Sequence, residues 1–181
     1  MELTREHKHT LLNIAEWAIS DFLITGKRKA LPDTFELDPV LKTNCGAFVT
    51  VYINGKLRGC IGTFSEKEAL YDNVHQLAIQ AATEDRRFEP LKENEIKGLT
   101  VEISVLLPRR KITGPEEIEI GKHGVYMIHG IKRATLLPQV AVEYGWTAVE
   151  FLECCAQNKL GLGKNSWKEA ELFVYEAIVF D

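Results

Sequence analysis

The stretch Ala47-Phe48-Val49-Thr50-Val51-Tyr52-Ile53-Asn54-Gly55-Lys56-Leu57-Arg58-Gly59-Cys60-Ile61-Gly62 decides how this chain folds. β-Branched and aromatic residues flank an Asn-Gly pair, the strongest short-range signal for two antiparallel strands joined by a two-residue turn. In the simplest register, Ile53 faces Lys56, Val51 faces Arg58 and Val49 faces Cys60. Arg58 and Cys60 then share a face of the returning strand, with Cα atoms about 6.7 Å apart at the usual rise per residue. A cation near a thiol raises its thiolate fraction, as a nucleophilic or metal-binding cysteine requires. Gly59 and Gly62 weaken a strand but let a ligand, a bend or another backbone come close. The plainer alternative makes Cys60 a small buried hydrophobe and Arg58 an ion-pair partner.

The rest of the chain extends the pattern in both directions. Upstream, Leu11, Leu12, Ile14, Ala15, Ala18, Ile19, Phe22 and Leu23 recur at helical spacing, which predicts an amphipathic helix over 9–25 rather than a secretory segment. Downstream, Ser65 and Glu68 read as a capping box for a helix carrying Leu70, Val74, Leu77, Ala78 and Ala81. Alternation from Leu99 to Leu107 predicts a strand stopped by Pro108. A second hairpin follows, turning at His129-Gly130. Pro138 suits the first turn of a short helix, Thr147 and Glu150 form another capping box, and a final strand runs from Leu172 to Phe180.

This second half repeats the first. Gly130 follows Gly55 by 75 positions, and Arg133 follows Arg58 by the same interval. The expected organisation is a single domain over 1–181, with pseudo-repeats of a hairpin, helix and strand at roughly 40–110 and 118–181. Related halves often enclose a cleft, so Arg58 and Arg133 are candidates to line a shared site for an anionic ligand; the alternative gives each an ion pair within its own half.

With 181 residues, 45% hydrophobic and 27% charged, the chain is long enough to bury a core without metal or disulfide support. A formal charge of −4 disfavours nucleic acid, whose phosphates need a basic face; the run Arg109-Arg110-Lys111 reads as a solvated loop. No run of 18 apolar residues occurs, so no membrane span is expected and a cytoplasmic location is inferred. The cysteines Cys45, Cys60, Cys154 and Cys155 contain no C-x-x-C pair, and no metal-ligand spacing is present, so no metal site is expected. The residues name no cofactor.

Taken together, Leu57 to Gly62, Asp85-x-Arg87-Phe88-x-Pro90, Leu136-Leu137-Pro138-Gln139-Val140-Ala141 with Gly145-Trp146, and Phe151-Leu152 to Cys155 with Trp167 resemble the AMMECR-type domain family, whose members are also labelled AmmeMemoRadiSam system protein A. The resemblance covers essentially the whole chain. It departs at Gln157-Asn158-Lys159-Leu160-Gly161, where relatives tend to show a Lys-Ala-Gly-Leu pattern. It implies an α+β fold with two structural repeats around a single curved, barrel-like, mainly antiparallel sheet with flanking helices. It also implies an association with Memo-like and radical S-adenosylmethionine proteins, but no assigned reaction.

Two functional expectations follow. In the first, the protein is a thiol-dependent enzyme or ligand-binding protein with Cys60 as nucleophile, Arg58 beside it, and Gly59, Gly62, Arg133, Glu102 and His75 around a small-molecule or protein ligand. Glu102 shares the polar face of its strand with Ser104, and His75 is the histidine best placed by connectivity to act as a base. Each has a plainer reading, as a solvated strand face and as a boundary residue of a helix. In the second, the protein is a non-catalytic interaction or regulatory module.

Overall fold

The computed structural model describes residues 1–181 and divides them into two compact units, Met1–Leu106 with Ile178–Asp181, and Leu107–Ala177. Each unit has its own hydrophobic core and its own open, four-stranded antiparallel sheet. The fold is α+β. The expected single curved, barrel-like sheet is instead two sheets.

In the first unit, α1 (Arg5–Thr25) starts earlier than the apolar pattern suggested, because Thr4 and His7 cap it reciprocally: each backbone N–H donates to the other's side chain at 3.2 Å. It ends at Gly26, whose φ of 66° is the left-handed conformation that closes many helices. Leu11, Ile14, Ala15, Ala18 and Ile19 form its buried stripe. The hairpin of β1 (Ala47–Ile53) and β2 (Lys56–Thr63) turns where expected, at Asn54 and Gly55, with φ of 50° and 74°. Positive φ at both central residues is the turn whose twist matches the flanking strands. The sheet order is β2-β1-β3-β8, with β3 at Leu99–Leu106 and β8 at Ala177–Phe180. Ala47, Val49, Val51 and Ile53 point into the core, where α2 (Leu70–Thr83) packs on the sheet.

The second unit holds β4 (Arg110–Ile112), the hairpin β5 (Gly124–His129) and β6 (Lys132–Leu136), α3 (Pro138–Glu143), α4 (Ala148–Cys154) and β7 (Glu171–Tyr175). Its sheet order, read from the hairpin's outer strand, is β6-β5-β7-β4. Hairpin, then the late strand beside its first member, then a fourth strand: this is the arrangement of the first sheet. Pro138 opens α3, and the Thr147–Glu150 box caps α4 as the sequence indicates. A π-helical turn over Cys155–Lys159 continues α4 toward Gly161.

Three expectations change. Ser65 and Glu68 do bond, the hydroxyl donating to the carboxylate at 3.2 Å, but they form a turn before the helix; α2 begins at Leu70 with no side-chain cap. The final apolar run is two strands, β7 and β8, which belong to different sheets. Apolar alternation records burial of a face but not which sheet supplies the neighbour.

The third change is the hairpin register. Val49 pairs with Ile61, Thr50 with Cys60 and Val51 with Gly59, and the ladder then slips so that Tyr52 pairs with Leu57. Arg58 is the extra residue of a β-bulge, and every residue after it is displaced by one position from the simple register.

Candidate functional site around Cys60

The bulge decides the chemistry of the hexapeptide. It turns Gly59 inward opposite buried Val51, where a Cβ would lie 1.8 Å from the Ala81 carbonyl oxygen. Only glycine lets α2 come this close to the strand. Gly62, opposite Phe48, lies under that ring, a Cβ there falling 2.1 Å from a ring carbon. Both glycines therefore serve packing.

Cys60 faces the other way, away from α2, beside Thr50, whose hydroxyl donates to its sulfur at 3.3 Å. Across β1, Thr50 pairs in turn with Glu102 of β3. A row of three side chains thus crosses the sheet from thiol to hydroxyl to carboxylate. The hydrogen-bond pattern fixes their spacing. Because the N–H and C=O of Cys60 bond to Asp85 and Arg87 on the open edge of β2, they point away from β1, so Thr50 and Cys60 form a non-hydrogen-bonded pair with Cα atoms about 4.5 Å apart. The next step, to Glu102, is the wider one, placing Cys60 and Glu102 Cα atoms roughly 10 Å apart.

The outward-facing backbone of Cys60 is gripped by the loop after α2. Asp85 Oδ2 accepts the Cys60 N–H at 2.9 Å, and the Arg87 guanidinium donates to the Cys60 carbonyl at 3.4 Å. Asp85 also accepts from Arg87 Nε at 3.0 Å, from its Nη2 at 2.7 Å and from its backbone N–H at 3.1 Å. This Asp-x-Arg loop stands where a neighbouring strand would otherwise pair, covering the exposed edge. The hydrogen bonds from Arg87 hold the Asp85 carboxyl well below the usual carboxylate range, and Asp85 is 8% exposed.

Arg58 does not reach the thiol. Its guanidinium pairs with Glu95, in the 3-10 turn Glu93–Gly98, and donates to the Glu89 carbonyl at 3.1 Å. Glu95 also accepts the Lys92 N–H at 3.0 Å, so Arg58 ties the bulge to the segment entering β3. Two of its five N–H donors are thus used within the protein, on a side chain that is 23% exposed. The cation that senses Cys60 is Arg87, whose charged form is favoured first by Asp85 and to a lesser degree by the thiol.

The remaining expected residues are dispersed. Burial raises the Glu102 carboxyl above its ordinary value, and Asp181 adds to the effect. Arg133, in β6 opposite Ile128, is exposed and has no ion-pair partner. His75 is buried on α2, against Trp17 of α1, on the helix side of the sheet and away from the row. Thr50 is the member of the site that the sequence reading did not single out; Asp85 and Arg87, expected there to hold a turn by hydrogen bonds, do bond to each other and also reach the Cys60 backbone. The signal for Thr50 was present in strand alternation, but only the bulge puts it opposite Cys60.

The other cysteines differ. Burial pushes the Cys45 thiol up to about 11 and the Cys155 thiol up to about 12. Cys154 is partly exposed and accepts from Asn158 Nδ2 at 3.3 Å. No three His, Cys, Asp or Glu side chains converge as a metal site. No helix is long and apolar enough to cross a membrane.

These features define a two-sheet α+β protein with a glycine-flanked cysteine on an edge strand clamped by an Asp-x-Arg loop. The AMMECR1 family model matches residues 12–180, and the chain belongs to that family. It is 40% identical over 179 residues to a protein of Methanothermobacter thermautotrophicus, covering 96% of this chain and 92% of that one. It is 39% identical to a protein of Methanosarcina barkeri, covering 98% and 91% respectively. The crystal structure of an uncharacterized protein from Pyrococcus horikoshii superposes with a TM-score of 0.89 at 34% identity, over 99% of this chain and 93% of that one.

Proposed function

We propose that this AMMECR1-family protein is a thiol-dependent enzyme that acts on a small molecule held against the outer face of its first sheet. The Cys60–Thr50–Glu102 row supports the reading: a partly exposed thiol, a hydroxyl donating to its sulfur, and a carboxylate whose basicity is raised by burial, on one face and at a separation that leaves room for a substrate. In the first step Cys60 forms a bond from sulfur to an electrophilic carbonyl carbon, the carbonyl π electrons move to oxygen, and the thiol proton passes to ionised Glu102 directly or through a water. Thr50 holds the sulfur. Asp85 and Arg87 fix the backbone of the nucleophile, and Arg58 positions the bulge through Glu95. The family resemblance, rather than the row, supports a cytoplasmic location and a functional association with Memo-like and radical S-adenosylmethionine proteins, which we propose alongside it.

The test uses p-nitrophenyl acetate as a generic acyl donor, with intact-protein and peptide mass spectrometry. Acetylation of Cys60, lost in Cys60→Ser and slowed about tenfold or more in Glu102→Gln, is the expected result. Acetylation that spares Cys60, or a Cys60 rate indifferent to Glu102, would overturn the proposal and favour a non-catalytic interaction module.

A further inference from the structure

The first unit also contains a cavity of about 660 Å³ on the helix side of the sheet, lined by one face of α2, by the strap 28–37 and by Lys42. No strand residue lines it, so it is separate from the Cys60 row. Its size falls within the range of small-molecule sites.

At its wall is His75, 8% exposed. Its ring stacks on Trp17, with centroids 5.8 Å apart and planes inclined by 22°, and Trp17 meets Phe35 of the strap edge-on at 6.1 Å. Neither ring nitrogen of His75 has a hydrogen-bond partner in the protein. The imidazole borders the open space of the cavity, so its nitrogens would face a ligand there rather than the packed interior. Burial lowers the pKa of His75, favouring the neutral ring, which offers one donor and one acceptor. Tyr71, one turn earlier on the same face, brings a hydroxyl that likewise has no protein partner.

Charges of both signs surround these groups. Lys42 has no ion-pair partner. Arg28 and Lys29 pair with Glu84 and Asp21, outside the lining, and an ion pair at the surface such as Arg28–Glu84 contributes little to stability. Opposite in sign, Asp33 and Asp72 also line the space, Asp72 accepting from Gln76 at 3.0 Å.

We propose that this cavity binds a small zwitterion bearing a flat ring, of the aromatic amino acid class. The carboxylate is taken by Lys42 with Arg28 or Lys29, the ammonium by Asp33 or Asp72, and the ring lies against the strap's Phe35, with His75 and Tyr71 supplying hydrogen bonds. The inference is independent of the thiol chemistry, and its test does not involve Cys60.

The experiment is a titration of the isotopically labelled full chain with L-tryptophan, followed by NMR at the Trp17 indole N–H and the His75 ring, with tryptamine and indole-3-propionate in parallel. Saturable shifts are expected at both residues with tryptophan, with at least about tenfold weaker binding of either analogue, the equivalent of losing one favourable ion pair. Lys42→Gln, an exposed residue whose replacement leaves the fold intact, weakens tryptophan but not tryptamine. Absence of saturable shifts, equal binding of the three compounds, or an unchanged tryptophan affinity in Lys42→Gln would overturn the proposal.

Discussion

The carboxylate of Asp85 accepts the backbone N–H of Cys60 at 2.9 Å, across 25 positions of sequence, and the same carboxylate is locked by three donors of Arg87. The cysteine on the edge strand is thus held through its main chain, which leaves its side chain free to meet Thr50.

Asp85→Asn removes the charge from this clamp and weakens its bonds to Arg87, lowering stability by about 2 kcal/mol, the scale of a hydrogen bond to a charged group. The wild type carries a pH signature of the same clamp. The folded-state pKa of Asp85 is depressed below the ordinary value of 3.8, so its contribution is fully present above that value and is lost as pH falls through it toward the folded value. Urea unfolding between about pH 5 and pH 2, from just above the ordinary value of 3.8 down toward the depressed folded one, should show a steeper loss in the wild type than in Asp85→Asn. Parallel curves would remove Asp85 from the account.

Gly59→Ala drives a methyl group into the Ala81 carbonyl of α2. Backbone must move, and a cost of about 3 kcal/mol is expected from overpacking of this kind. Gly62→Ala meets the side chain of Phe48, which can rotate away, so its cost should be smaller. Chemical denaturation of the two variants checks the order.

Arg58→Ala should lower stability by about 1 kcal/mol, since it breaks a partly shielded ion pair with Glu95, both side chains being 23% exposed. It should leave the rate of Cys60 alkylation by iodoacetamide unchanged at neutral pH. Thr50→Val, which removes the donor to the sulfur, should change that rate. A Cys60 rate that follows Arg58 instead would restore the direct thiol–guanidinium pairing that the bulge excludes.

Alkylation of the native protein should separate the four thiols by burial. Cys45 and Cys155, with thiols pushed up to about 11 and about 12, stay protonated and shielded, and should be spared near pH 8 until the protein unfolds; Cys60 and Cys154, partly exposed, should be modified first. Peptide mapping by mass spectrometry reads the order, and early labelling of Cys155 would contradict the packing described for the second core.

The elements and much of their order can be read from local residue patterns alone. Asn54-Gly55 fixed a hairpin because few residue pairs accept positive φ at both positions, the apolar stripe from Leu11 to Ile19 fixed a helix, and the Thr147–Glu150 pair fixed where α4 begins. These are local matters, settled by backbone sterics and by periodicity within a few residues. The remainder depends on packing between distant segments. The bulge at Arg58 accompanies the close approach of α2 to Gly59, and that single slip exchanges the partner of Cys60 from Val49 to Thr50. Glu95 takes Arg58, Asp85 and Arg87 take the edge of Cys60, and Trp17 takes His75, each from a distant part of the chain. The division of the last apolar run between two sheets has the same origin. A strand's pattern records that a face is buried, whereas the identity of what buries it depends on contacts between segments far apart in sequence, which only the packed fold supplies.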